Sequence, residues 1–297
     1  MSSPDPFELT FREDTSEFVI AFQAMAGPCE ALIQSPREKE AREIGRIVYD
    51  EAKRLESKYS RYRDDNFIHE VHQYGPVKAD EETARLLDFA NTAYDLSEGD
   101  FDITSGVLRR LWDFKGEGTA PGRKAVKELL PMIGWDKVKW DGRTIQVPEG
   151  MQIDFGGFGK EYAVDRALAL VSAEFDCPVL VNFGGDLAAN RKPHSRDRWS
   201  VGIQRATASS ASAAFKFESG AIATSGDANR FVMHKGKKLL HILNPRTGWP
   251  VSQAPVSVSV GMPSCLQAGL LSTMAILRGK NAERFLEAQE VLYWVQR

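Results

Sequence analysis

Cysteine is scarce in this sequence. Only Cys29, Cys177 and Cys265 occur among 297 residues, odd in number, far apart and without metal-ligand spacing. That excludes a disulfide framework and a cysteine-based zinc site, and leaves buried, reduced thiols of a cytoplasmic protein as the reading. Long apolar runs are missing too. No stretch approaches the ~20 residues that a membrane helix needs, so no membrane insertion is expected. The first 18 residues are polar and acidic. They have no basic start, apolar run or small-residue cleavage site, and no lipid-attachment cysteine lies near them, which makes the cytoplasm the expected location. An excess of charge of one sign is also lacking: 38 Lys and Arg face 41 Asp and Glu, for a net charge of −3 and a pI of about 6.0. Broad attraction to nucleic acid or an anionic membrane is therefore not expected. Heptads, short-period repeats and low-complexity linkers are absent, apart from an Ala/Ser patch at 206–214.

What is present is ordinary for a globular protein, with 42% apolar and 27% charged residues and enough chain for a large core. Residues 1–17 read as a flexible arm. Residues 18–34 read as two short strands bent at Gly27 and Pro28. A helix is expected over 36–58, with Ser35 as cap and a stripe of Ile44, Ile47, Val48, Ala52 and Leu55. Another is expected over 80–98, capped by Asp80 and ended by Gly99. A short helical segment at 104–114, a loop at 115–122 and a helix at 123–133 follow. Asp141-Gly142 marks a hairpin within 137–153. After a helix at 160–175 come strands at 178–183, 199–204, 213–217, 230–234, 238–243 and 254–262. Helices at 266–278 and 281–288 and a strand at 290–295 close the chain. This mixture has no βαβ rhythm and many short turns. It implies an α+β fold of mainly antiparallel strands with surrounding helices, one domain over 18–297 built from two sub-blocks.

Four glycine-bearing turns stand out for chemistry: 154–160, 182–186, 224–227 and 244–248. Glycine lets a backbone approach a ligand and present its N–H groups. The first turn enters a helix, whose N-terminus favours a phosphate, and Lys160 adds a cation. It is not a Walker A loop, because Asp154 stands where the first glycine belongs and Glu161 follows the lysine. Asp100, Asp102, Asp154, Asp186 and Asp227 lie in or beside such turns. Together they could hold Mg²⁺ or bond a nucleotide, and singly they could serve only as turn and cap residues. Trp112, Trp135, Trp199 and Trp249 read as packing residues. His69 and His72 read as solvent-exposed in a loop. His241 lies in an apolar strand before a Pro-Arg-Thr-Gly turn, where a neutral imidazole could be a general base or simply a hydrogen-bonded, half-buried group.

The order and spacing of these stretches resemble the ApbE family, the FAD:protein FMN transferases. The matching blocks are 24–27, 60–62, 97–104 with 111–112, 154–165, 182–186, 199–203, 221–227, 241–248 and 267–273, so the resemblance runs from about residue 18 to the end. It implies an ApbE-like, T-fold-like fold that binds FAD. It also implies an Mg²⁺-dependent reaction in which FMN passes from FAD to a threonine hydroxyl of an acceptor protein and AMP leaves. By position, Met25, Tyr62, Asp100, Phe101, Asp102, Asp154, Lys160 and Leu243 should line the FAD site. The Gly157 carbonyl and the Thr273 side chain fall where metal ligands sit, and His241 falls where a base for the acceptor threonine is expected.

The sequence departs from that pattern in three places. The last motif usually reads Ala-Asp-Ala-Leu-Ser/Ala-Thr, yet Gly269 stands where the metal-binding aspartate is expected. Glu161 replaces a usual glycine after Lys160, and Asn244 stands where an aspartate is common. Asp227 joins His241 as a catalytic candidate and as a substitute for the missing carboxylate. Alongside transfer, two other readings stay open: a flavin-binding protein of the same fold with weak or no transfer, and an FAD pyrophosphatase in which water replaces the acceptor.

Overall fold

Eight strands form the central sheet, and their spatial order is their order along the chain. They are β1 (Glu8–Arg12), β2 (Glu17–Ala24), β3 (Gly27–Ile33), β4 (Val179–Phe183), β5 (Asp186–Ala189), β6 (Gly220–Ser225), β7 (Ser257–Met262) and β8 (Leu292–Gln296). Every neighbouring pair is antiparallel. The structure is a computed structural model that describes residues 5–114, 119–204, 211–226, 231–234 and 236–297.

Everything else hangs between adjacent strands. The longest excursion, between β3 and β4, carries α1 (Glu38–Tyr59), α2 (Phe67–Gln73), α3 (Glu81–Leu96), α4 (Arg123–Leu129) and α5 (Gly159–Glu174). It also carries a small sheet of Val77–Lys78, Thr144–Gln146 and Lys139–Trp140. Between β5 and β6 runs the hairpin Trp199–Gln204 with Ala211–Phe217. Between β6 and β7 lie the pairs Phe231–His234 with Lys237–Leu240 and Leu243–Asn244 with Trp249–Pro250. Helices α6 (Cys265–Leu277) and α7 (Ala282–Ala288) lie between β7 and β8. Mixed helices and antiparallel sheet make the fold α+β.

The largest core lies where α1, α5 and α6 cover the sheet. Ile44, Val48, Ala52 and Leu55 of α1 pack with Ile20, Ile33, Val164, Val181 and Val260. The expected α1 stripe is thus the buried one, with Ile47 at its edge. A second core gathers Leu87, Phe101, Trp135, Ile145, Phe155, Phe158 and Met274. Trp112 is buried, stacked on Phe114 at 5.3 Å, and its Nε1 donates to the Gly248 carbonyl at 3.0 Å. No helix among the described residues is long and apolar enough to cross a membrane.

Several local signals hold as read. Asp80 caps α3 by accepting the Thr83 N–H, and Asp141-Gly142 joins Lys139–Trp140 to Thr144–Gln146. Others need correction. The expected flexible arm contains β1, which pairs with β2, and Phe7 is buried in the main core. Helix α1 begins after Arg37, and Ser35 accepts the Arg37 N–H outside the helix. His69 and His72 lie on α2, capped by Asn66, and both are half-buried. His72 Nε2 accepts the Ile153 N–H at 2.9 Å. His241 sits in a bend after Lys237–Leu240, outside any strand. Of the expected 115–122 loop, 115–118 lie outside the described residues, as do 206–210 of the Ala/Ser patch.

Candidate functional site

A two-residue turn joins β2 to β3 and points Met25 and Ala26 into a cleft. Both have left-handed backbones, with φ of 52° and 62°. Such turns match strand twist, but a Cβ makes them strained. The turn is held by α1, where Glu56 Oε1 accepts the Met25 N–H at 2.6 Å.

Across the cleft lies the turn leading into α5. Asp154 Oδ1 accepts the Gly156 N–H at 2.8 Å, closing a single 3₁₀ turn over Phe155–Gly157. Its other oxygen accepts from Arg61 Nη1 at 2.8 Å. Gly106 lets the 3₁₀ helix Ile103–Arg110 lie against this turn, because a Cβ at 106 would sit 2.6 Å from Asp154 Cβ. Beyond the turn, Lys160 Nζ donates to Asp186 Oδ2, and Asp186 Oδ1 accepts the Thr224 N–H at 3.1 Å. Burial works against the Lys160 cation, but the carboxylates of Asp186 and Glu161 outweigh it and hold the ammonium above the ordinary lysine range.

Helices α5 and α6 meet beside this lysine. Asp165 accepts the N–H groups of Cys265 and Leu266 at 2.8 and 2.9 Å, pinning the start of α6. One turn earlier on α5, Glu161 meets Gly269, one turn later on α6, so the helices pass in opposite directions. A Cβ at 269 would lie 2.7 Å from both Glu161 Cγ and Glu161 Oε1. Glu161 is only 7% exposed, and its Oε2 is buried with no hydrogen-bond partner among the described residues. Burial, reinforced by Asp186, pushes its carboxyl up to about 8. Next to this contact, Ser225 Oγ lies 2.7 Å from both Ser272 Oγ and Thr273 Oγ1.

The third wall is a clamp between distant turns. Asp100 Oδ1 accepts from Arg246 Nε at 3.1 Å, and its other oxygen pairs with Arg278 at 3.4 Å. Asp102 is buried and caps the 3₁₀ helix, accepting the Thr104 and Trp135 N–H groups at 2.7 and 3.1 Å. Phe101 packs beneath Gly157, where a Cβ would touch its ring at 3.4 Å. His241 stands edge-on to Phe114 at 6.3 Å.

These walls enclose a cleft of about 1360 Å³. Met25, Tyr62, Asp100, Phe101, Asp102, Asp154, Gly157, Lys160, His241, Leu243 and Thr273 all line it. Asp227 lies outside the described residues. The lining residues are not equivalent. Tyr62 is 85% exposed and forms the rim, with the Arg61 guanidinium 5.6 Å from its ring centroid. Asp102 and Asp154 commit their oxygens to the backbone and to Arg61, so they shape the wall. Arg61, within block 60–62, has no local signal that ties it to Asp154; only the fold brings the two together. Glu161 and Gly269, two departures from the family pattern that lie far apart in the chain, meet across α5 and α6. Among the described residues no three His, Cys, Asp or Glu side chains cluster as a metal site. Any cation here would need hydroxyl and carbonyl oxygens as well as a carboxylate.

Known proteins share this fold and much of this sequence. The chain is 32% identical over 231 residues to the FAD:protein FMN transferase of Chlamydia pneumoniae, covering 74% of this chain and 71% of that protein. It is 26% identical over 248 residues to the FAD:protein FMN transferase of Vibrio cholerae, covering 80% and 73%. The crystal structure of the ApbE protein from Thermotoga maritima superposes with a TM-score of 0.85 over 94% of each chain, at 26% identity. A model of the ApbE family matches residues 25–294. With nearly the whole chain so matched and the same architecture recovered, this protein belongs to the ApbE family.

Proposed function

We propose that the protein is a flavin transferase. It splits FAD at the pyrophosphate, passes the FMN half to a threonine hydroxyl of an acceptor protein and releases AMP. The observation that carries this reading is convergence: residues from the β2–β3 turn, α5, α6 and the 241–248 segment line one cleft, with the Lys160 cation inside it. The matched transferases support the same chemistry.

In this reading Met25, Phe101 and Leu243 offer apolar surface to the flavin ring or adenine, with Tyr62 covering them from the rim. Lys160, at the start of α5, draws the pyrophosphate, helped by N–H groups that the first helical turn leaves unpaired. Asp186 fixes where that cation points. The residues fit a hard cation: the carbonyl of Gly157, the hydroxyl of Thr273 and an acidic oxygen nearby would hold Mg²⁺. When bound, the ion neutralises charge on the pyrophosphate oxygens. His241 takes the proton of the incoming threonine hydroxyl.

The test is to incubate the protein with FAD, Mg²⁺ and a threonine-bearing acceptor, weigh the acceptor and assay AMP. FMN on the acceptor with AMP in solution is the expected result. AMP without modified acceptor would indicate a pyrophosphatase. FAD binding with neither product, across several acceptors, would leave a flavin-binding protein.

A further inference from the structure

We infer that the Glu161 carboxylate is the acidic ligand of the divalent-cation site, delivered from α5 to the space that an aspartate at 269 would otherwise occupy. The cation's role beside a pyrophosphate rests on the transferase reading. The assignment of Glu161 rests on its own geometry.

Space is the first argument. Glu161 Cγ and Oε1 each lie 2.7 Å from the Cβ position of residue 269, so one acidic side chain can enter here, from either helix. The second is an unmet need. Glu161 is 7% exposed, and its Oε2 has no hydrogen-bond partner among the described residues. Burying an uncompensated carboxylate is costly. The nearby cation does not satisfy it, since Lys160 Nζ bonds Asp186. Asp186 and Lys160 offset each other, so ionising Glu161 adds a negative charge that a bound cation would offset. The third is company. Glu161, Gly157, Ser225 and Thr273 line the same cleft, and Ser225 Oγ and Thr273 Oγ1 are 2.7 Å apart. A carboxylate with hydroxyl and carbonyl oxygens is the donor set of Mg²⁺ or Mn²⁺. The missing aspartate and the extra glutamate are therefore a single exchange.

The test is calorimetric titration of Mn²⁺ into the FAD-loaded protein, comparing the unmodified chain, Glu161→Gln and the double exchange Glu161→Gly with Gly269→Asp. Circular dichroism establishes folding, and FAD fluorescence quenching reports flavin binding in each. The unmodified chain should bind Mn²⁺, Glu161→Gln should weaken binding by at least about tenfold, and the double exchange should recover most of it. Unchanged affinity in a folded Glu161→Gln overturns the assignment, as does a folded double exchange that recovers nothing. If every variant binds FAD and none binds Mn²⁺, the assignment fails while the flavin reading stands. If none quenches FAD, the flavin reading fails, and the same Mn²⁺ titration without FAD still decides for or against Glu161.

Discussion

The Glu161 side chain lies over the bare backbone of Gly269, on a helix that reaches it more than a hundred residues later. A methyl at 269 would drive into a side chain that is itself buried. Alanine is the better helix former by ~1 kcal/mol, yet overpacking a filled interior costs ~1–3 kcal/mol. We expect Gly269→Ala to lower stability in urea denaturation, and Glu161→Gly added to it to remove that loss. Equal losses from Gly269→Ala with and without Glu161 would show that the two do not touch.

Ala26 carries a left-handed backbone, with φ of 62°, at an exposed tip. The Cβ strain of that conformation is ~1–2 kcal/mol, while glycine adds ~0.4–1 kcal/mol of unfolded-chain entropy. Ala26→Gly should therefore stabilise slightly, by up to about 1.6 kcal/mol, as a raised denaturation midpoint with unchanged slope. A drop would mean that the Ala26 methyl makes a contact worth more than its strain.

Arg61 joins the segment after α1 to the turn before α5 through Asp154, with both side chains about four-fifths buried. Arg61→Met keeps the stem but leaves the Asp154 carboxylate with one partner fewer. Removing one member of a shielded pair costs more than losing a surface pair. FAD affinity should fall about tenfold or more, read by fluorescence quenching, with the helical signal in circular dichroism retained.

Acid should weaken the protein in two windows. Burial pushes the His72 imidazole below its usual 6.5, and the neutral ring accepts the Ile153 N–H. Its contribution is full above pH 6.5 and is lost as pH falls through the lowered folded value. Burial would raise the Glu82 carboxyl, but Arg54 and Lys58 outweigh it and hold it down to about 2. That contribution is full above the ordinary 4.5 and is lost as pH falls towards 2. Urea midpoints against pH should show both declines. His72→Gln, which keeps an acceptor, should flatten the first, and Glu82→Gln the second.

Legibility in the sequence followed the range of the forces involved. Asp80 and Asp141-Gly142 act within three or four residues of themselves, and their helix cap and hairpin could be read directly. Strands β5 and β6 escaped notice because Asp-Leu-Ala-Ala and Gly-Ala-Ile-Ala-Thr-Ser have weak strand preference, and neighbours on both sides make them strands. β1 escaped because an edge strand with exposed faces shows no burial pattern. His72 looked like a loop histidine until Asn66 capped a helix around it. The cleft-lining residues were named through resemblance, but what each one touches was not. Asp154 with Arg61 and Glu161 with Gly269 are contacts between residues far apart in sequence, and no local rule connects them.

The sheet's simple order has a consequence for how the molecule assembles. β1 to β3 can zip as successive hairpins, and β7 with β8 closes over a short helical pair. Joining β3 to β4 must first gather in residues 34–178. Loop entropy makes that the slow pairing of the set. The cleft takes Met25 from one side of that seam and Asp186 and Thr273 from the other. Competence to hold a ligand should therefore arrive last in refolding, after most of the helical signal has returned.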